Sequence, residues 1–222
     1  MDYLSRRDSS RLLTIARVTQ VFIWIYVAVW AVEALANAWS LSMMLSNGFG
    51  RPTFIVLAVR GLAMMLGSLV FLPTAVLFLI WFHKAIANLH EAGLAGLRAR
   101  PGWTVGSFFV PVANLFVPFR AMRELWNRSH GEDEWQAEGA VGDVGIWWTC
   151  YLAGTLLVAF VTGTRLFNLL TNAVVMTPRG VHEMLSLCGT GMWCVSGVFL
   201  ARIVGKVSQA QQSLSDDRLT FM

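Results

Sequence analysis

The stretch FFVPVANLFVPF, from Phe108 to Phe119, is apolar enough to enter lipid, yet it contains two prolines and an asparagine. Whether it crosses the membrane decides on which side each half of the chain lies. A helix from 103 to 117 is only about 22 Å long, which falls short of the roughly 30 Å of hydrocarbon in a bilayer. Pro111 would also kink such a helix, because proline lacks an amide hydrogen and crowds the preceding turn.

The composition of the whole chain places it in a membrane. Of its 222 residues, 56% are hydrophobic and only 14% are charged, whereas soluble domains carry about 25% charged residues. Four apolar runs are long enough to cross as helices: 18–38, 61–82, 144–164 and 184–204. The sequence therefore predicts an all-α polytopic membrane helix bundle, in which 1–222 form a single integral membrane domain.

The distribution of basic residues selects between four and five crossings, because Lys and Arg accumulate in short cytoplasmic loops. With four crossings and a cytoplasmic amino end, 13 of the 17 Lys and Arg residues lie inside and 4 outside. A fifth crossing through 108–119 leaves 9 inside and 8 outside. The bias favours four crossings, with both termini and the stretch 93–143 in the cytoplasm. Segment 103–128 is then re-entrant or lies in the inner interface.

Two further features bear on this topology. Tryptophan gathers at membrane–water interfaces, and five tryptophans are expected at the inner one: Trp81, Trp103, Trp126, Trp147 and Trp148. The stretch ALANA at 34–38 resembles a signal-peptide cleavage site. The length of the apolar run and the position of Glu33 just before that site favour a retained first span.

The proline-containing segment holds most of the candidate ligand-binding residues. In a helix, Pro111 frees the carbonyl of Ser107, and Pro118 frees that of Asn114. Freed carbonyls and the Asn114 side chain suit a cation or a lipid head group, as in broken transporter helices. Alternatively, the prolines only turn the chain and Asn114 caps the turn. The candidate set is completed by two residues at the end of the second span: His83 and Asn88.

The sequence after Pro118 predicts a short amphipathic helix in the inner interface. Three residues fall on its apolar face, namely Met122, Leu125 and Trp126, and four on its polar face, namely Arg120, Arg123, Glu124 and Asn127. Earlier in the chain, Gly93 is a natural end for the helix that continues the second span.

Charges within or beside the spans predict a structural cluster. Glu33 lies toward the outer end of the first span, where an unpaired carboxylate would be costly. Arg60 and Arg165 flank the second and third spans on the same side. We expect Glu33 to pair with one of them.

Several function classes lack support in the sequence. No nucleophile–base pair, carboxylate dyad or phosphate loop is visible, so no catalytic residues are assigned. The spacing of the histidines and cysteines suits neither haem nor a metal site, and no cofactor is expected. The net charge of +4 favours anionic lipid at the inner face over nucleic acid.

Two stretches carry a family resemblance: WFHKAIANLHEAG at 81–93 and PGWTVGSFFVPVANLFVPFRAMRELW at 101–126. Together they resemble the signature of domain-of-unknown-function family 4328. The resemblance implies a bacterial multi-pass protein of the cell (inner) membrane, and it implies no particular activity. The chain departs from the family pattern at His83 and Lys84, so the resemblance gives His83 no role.

Three functions are compatible with these features. The first is a non-enzymatic module that binds lipid or a membrane protein partner through residues 101–128. The second is a small channel or transporter, as a single chain or a homo-oligomer, with the proline-containing segment lining the path. The third is a lipid-modifying membrane enzyme, which the lack of paired acid–base residues disfavours.

Overall fold

The computed structural model describes residues 2–46, 54–171, 178 and 180–220. Within these ranges the chain forms six α-helices and no strand, which confirms the all-α prediction. The helices are α1 (Asp2–Ser46), α2 (Phe54–Glu91), α3 (Pro101–Gly106), α4 (Pro111–Ser129), α5 (Gly142–Thr171) and α6 (Val181–Thr220). Among the described residues, four helices are long and apolar enough to cross a membrane, namely α1, α2, α5 and α6.

The four long helices extend well past the predicted spans. The 38 residues of α2 measure about 57 Å at 1.5 Å per residue, nearly twice the roughly 30 Å of the hydrocarbon core. Each long helix contributes to two compact units. Unit 1 comprises Met1–Trp24, Leu72–Trp148 and Phe199–Met222, and unit 2 comprises Ile25–Phe71 and Thr149–Val198.

The core of unit 1 is aromatic. Phe78 and Phe82 on α2 both contact the Phe108 ring, with centroids 5.9 and 6.4 Å apart, and Trp81 is fully buried. Three of the tryptophans expected at the inner interface, Trp81, Trp147 and Trp148, are thus buried within the protein, while Trp103 is exposed. Aromatic packing of this kind adds roughly 0.5–1.5 kcal/mol per pair beyond burial.

The proline-containing segment is broken into two helices, as the prolines predict. After α3, a 3₁₀ turn at Ser107–Phe109 leads to Val110 in an extended conformation (φ −107°, ψ 112°). Pro111 is the first residue of α4, a position where its missing amide hydrogen is not needed. Pro118 behaves differently, because α4 continues through it.

Gly93 ends the long helix α2, as expected from the sequence. Its φ of +70° is in the left-handed region that glycine adopts without strain. The Leu94 amide donates to the Leu89 carbonyl and the Gly93 amide to the His90 carbonyl. This pattern satisfies carbonyls that the helix end would otherwise leave unpaired.

In unit 2, α5 and α6 approach at two glycines. A Cβ added at Gly154 would lie 2.9 Å from the Gly189 carbonyl oxygen and 2.8 Å from the Trp193 ring. Small residues permit this close backbone contact, which is a common device in membrane helix pairs. Trp193 in turn contacts the Trp30 ring, with centroids 4.8 Å apart, so this tryptophan packs α6 against α1.

Candidate functional site

An apolar stripe on α4 lies exposed at the break of the segment. Val112 and Phe116, four residues apart, share a helix face and are exposed, as is Phe109 just before the break. Arg120 continues the same stripe one turn further and is also exposed. Apolar side chains that lead into a basic residue on one helix face suit the boundary between acyl chains and lipid head groups.

The candidate residues around the break differ in how fully they are bonded. The Ser107 hydroxyl is buried and donates to the Thr104 carbonyl at 2.7 Å, so it is used locally. Pro111 is exposed. The Asn114 amide N–H donates to the Val110 carbonyl at 2.8 Å, but its side-chain Oδ1 is buried and accepts no hydrogen bond from the described residues. Among these residues, Asn114 has the buried side-chain atom that lacks a partner in the described chain.

The other candidates lie apart from the break. Pro118 is buried within α4, and His83 is exposed on α2. Asn88 donates to the Gln211 side chain at 3.4 Å, and Gln211 donates to the Ser129 hydroxyl at 3.0 Å. Asn88 therefore belongs to a hydrogen-bond network that joins α2, α4 and α6.

The polar face predicted for α4 is only partly correct. Met122 and Leu125 are buried as expected, but Glu124 and Asn127, which the sequence placed on the polar face, are buried too. The reason is that the connections before and after α4 fold over this face. The Asn127 Nδ2 atom, for example, lies 3.0–3.2 Å from three carbonyl oxygens of residues 136, 137 and 139.

Glu124 and Arg128 hold the connection between α2 and α3, an arrangement we call the backbone clamp. The Glu124 carboxylate accepts the amide hydrogens of Arg98 and Ala99 at 2.7 and 2.9 Å. One turn further, the Arg128 guanidinium donates to the carbonyls of Ala95 and Glu132 at 3.0 and 2.7 Å. Charge-assisted bonds to backbone groups are among the stronger hydrogen bonds in proteins. Sequence analysis missed this clamp, whose one local signal is the i, i+4 spacing of the two charges.

Basic side chains in unit 1 lie in two places. The Arg123 guanidinium lies over the Phe119 ring at 4.8 Å, while its buried Nε makes no hydrogen bond to the described residues. Elsewhere in the unit, Arg11 and Lys84 line a shallow depression. These cations contribute positive charge to unit 1.

Unit 2 contains the predicted charge cluster in altered form. Arg60 lies beside Glu33, with Nε 3.5 Å from Oε1 and both side chains largely buried. Arg165 lies instead beside Glu183, at 3.9 Å. Of the two partners predicted for Glu33, the structure thus places Arg60 next to it.

Metal ligands do not cluster in the part of the chain that the structure describes. Its His, Cys, Asp and Glu side chains form no group of three able to hold a metal ion. The three cysteines are free thiols. The clusters described above offer hydrogen bonds and charge rather than metal coordination.

The fold and these clusters define a helical protein with four helices suited to crossing a membrane and a proline-broken segment between the second and third of them. A family model described as Domain of unknown function (DUF4328) matches residues 55–208. The chain belongs to this family, as its 81–93 and 101–126 stretches indicate. No curated protein and no solved structure matches the chain.

Proposed function

We propose that the protein is a non-enzymatic membrane module whose segment 101–128 binds anionic lipid at the inner face of the cell membrane. The observation that carries the proposal is the exposed stripe of Val112 and Phe116 leading into Arg120 on α4. From Val112 to Arg120 the stripe rises about 12 Å. That length allows the apolar end to reach acyl chains while Arg120 remains at the phosphates.

The occupant of the stripe is a lipid rather than a protein for two reasons. The same chain has four membrane-suited helices, and the stripe lies in the connection between the second and third of them, which tethers it to the membrane. Its charged end is basic and complements the anionic lipid of the inner leaflet, where each basic residue near the surface contributes about 1 kcal/mol.

The binding test compares lipid retention in nanodiscs of phosphatidylcholine with and without phosphatidylglycerol, measured by native mass spectrometry. We expect preferential retention of phosphatidylglycerol. Arg120→Gln should reduce it about fivefold, the equivalent of about 1 kcal/mol. The control Arg165→Gln removes the same charge from unit 2 and should leave retention unchanged. Equal retention of both lipids, or equal effects of the two variants, would refute the proposal.

The proposal includes the orientation inferred from the basic residues, with both termini and 93–143 in the cytoplasm. A single cysteine at position 132, in a cysteine-free background, tests it in intact cells. An impermeant maleimide applied outside should leave the thiol unlabelled until the cells are opened. Strong labelling of intact cells would place the segment on the opposite side and would remove the anionic leaflet as the partner.

A further inference from the structure

An exposed tryptophan lies on the connection between α4 and α5 in unit 1. Trp135 is 78% exposed and belongs to a short 3₁₀ turn at Glu134–Gln136. No Lys, Arg or His occurs from 131 to 140. Four exposed carboxylates lie within three residues of the tryptophan: Glu132, Asp133, Glu134 and Glu138. We call Trp135 and these four side chains the Trp135 surface.

The backbone that carries Trp135 is held in place by α4. The Asn127 Nδ2 atom lies 3.0–3.2 Å from three carbonyl oxygens between residues 136 and 139. On the other side of the tryptophan, Arg128 donates to the Glu132 carbonyl at 2.7 Å. A preordered site loses less conformational entropy on binding, and tryptophan is among the residues that contribute most to protein interfaces.

A small cleft lies beside Trp135. Its volume is about 100 Å³, whereas pockets for small-molecule ligands measure about 300–1,000 Å³. Gly96 forms part of its lining, and a Cβ at this position would overlap the Glu134 side chain. The glycine therefore makes room for this carboxylate beside the tryptophan. The cleft has space for the end of one side chain but not for a whole small molecule.

The charges at the cleft favour a cationic side chain. Its lining contains the guanidinium of Arg98 and three carboxylates, namely Glu124, Glu134 and Glu138. Tryptophan is the best aromatic partner for a cation. A guanidinium stacks on aromatic rings and also pairs with carboxylates through two hydrogen bonds. We propose that the Trp135 surface binds an arginine-containing basic segment of a partner protein, with one guanidinium in the cleft.

The same charges disfavour an anionic partner. The inner leaflet is negatively charged and would repel the four carboxylates, so the membrane surface does not suit Trp135. The stripe proposed to contact lipid ends instead in a basic residue, Arg120. The Trp135 surface is therefore a second binding surface, separate from the one proposed for lipid in segment 101–128.

Fluorescence anisotropy of a labelled octaarginine peptide tests this proposal on the full-length protein. The nanodiscs contain phosphatidylcholine alone, because a bilayer without net charge does not itself attract the peptide. We expect binding that weakens about fivefold or more in Trp135→Ala. The control Trp103→Ala removes another exposed tryptophan of unit 1 and should leave the affinity unchanged. Absence of peptide binding, or equal effects of the two variants, would overturn the proposal.

A second pair of variants tests the charge of the surface. Glu134→Gln should weaken peptide binding about two- to fivefold, while Glu183→Gln removes the same charge from unit 2 and should leave it unchanged. Equal effects of these two variants would contradict the assigned cleft.

The lipid test separates the two kinds of partner. Trp135→Ala should retain phosphatidylglycerol as the unsubstituted protein does, because Trp135 lies outside segment 101–128. A loss of phosphatidylglycerol retention with unchanged peptide binding would assign Trp135 to lipid and would overturn the proposed protein partner.

Discussion

The two units treat their buried polar groups in opposite ways. In unit 1, Trp81 bonds to Ser208, Gln211 bonds to Ser129, and Glu124 accepts two backbone amides. In unit 2, the buried side chains of Asn37 and Ser40 on α1 have three polar atoms without a hydrogen-bond partner in the described chain. Unit 1 contains two such atoms, and both belong to segment 101–128, at Asn114 and Arg123. The contrast separates polar groups that hold the fold from buried polar groups that the described chain leaves unpaired.

The largest effect is expected at the backbone clamp of unit 1. Glu124→Ala removes two charge-assisted hydrogen bonds, each worth roughly 1.5–3 kcal/mol, so the free energy of unfolding should fall by about 3 kcal/mol or more. Denaturation in detergent measures this loss. The control is Glu138→Ala, because Glu138 also contacts Arg98 but the pair is highly exposed. It should cost less than about 1 kcal/mol, and equal losses would show that Glu124 does not clamp the backbone.

An intermediate effect is expected where α5 and α6 meet in unit 2. Gly154→Ala places a methyl group within 3 Å of the Gly189 carbonyl and should destabilise the protein by about 1–3 kcal/mol, a typical cost of overpacking. Gly163 lies on the same helix, and a Cβ there meets nothing within 4 Å. Gly163→Ala should therefore raise the free energy of unfolding by up to about 1 kcal/mol. Thermal melts of both variants test these expectations. If Gly154→Ala stabilised the protein, the close approach of α5 and α6 would be ruled out.

The smallest effect on stability is expected at Asn114, since no described side chain or backbone group uses its Oδ1. Asn114→Leu should change the free energy of unfolding by less than about 0.5 kcal/mol, and it should reduce lipid retention if a hydroxyl group of the phosphatidylglycerol head group donates to this oxygen. Ser107→Ala should do the reverse, because it removes the bond to Thr104 at a cost of about 1 kcal/mol. A large loss of stability in Asn114→Leu would show that Asn114 serves the turn, as the alternative interpretation holds.

Features encoded by local sequence could be predicted. The four long helices follow from uninterrupted apolar runs, the break at Pro111 from the chemistry of proline, and the end of α2 from Gly93. Each depends on residues within a turn or two of one another. The family resemblance aligns the segment with the family's motif, but it predicts none of the segment's contacts.

The backbone clamp and the burial of Asn37 and Ser40 could not be predicted for a common reason. Periodicity places Glu124 on a polar face, but it cannot show that the chain 25 residues earlier supplies amide hydrogens to cover that face. Likewise, the sequence shows Asn37 and Ser40 only as isolated polar residues at the end of the first apolar run. Their burial depends on packing against other parts of the chain, which the periodicity of one helix does not reveal.

The backbone clamp also bears on where the chain tolerates change. Glu124 and Arg128 contact main-chain atoms of residues 95, 98 and 99, and main-chain atoms are the same in every amino acid except for the missing hydrogen of proline. Substitutions at these three positions, other than to proline, should therefore be tolerated. The number of residues in the connection, in contrast, is fixed. A reporter group attached at Arg98 should leave the architecture intact, whereas a single inserted or deleted residue between 95 and 99 should shift the register and release the connection.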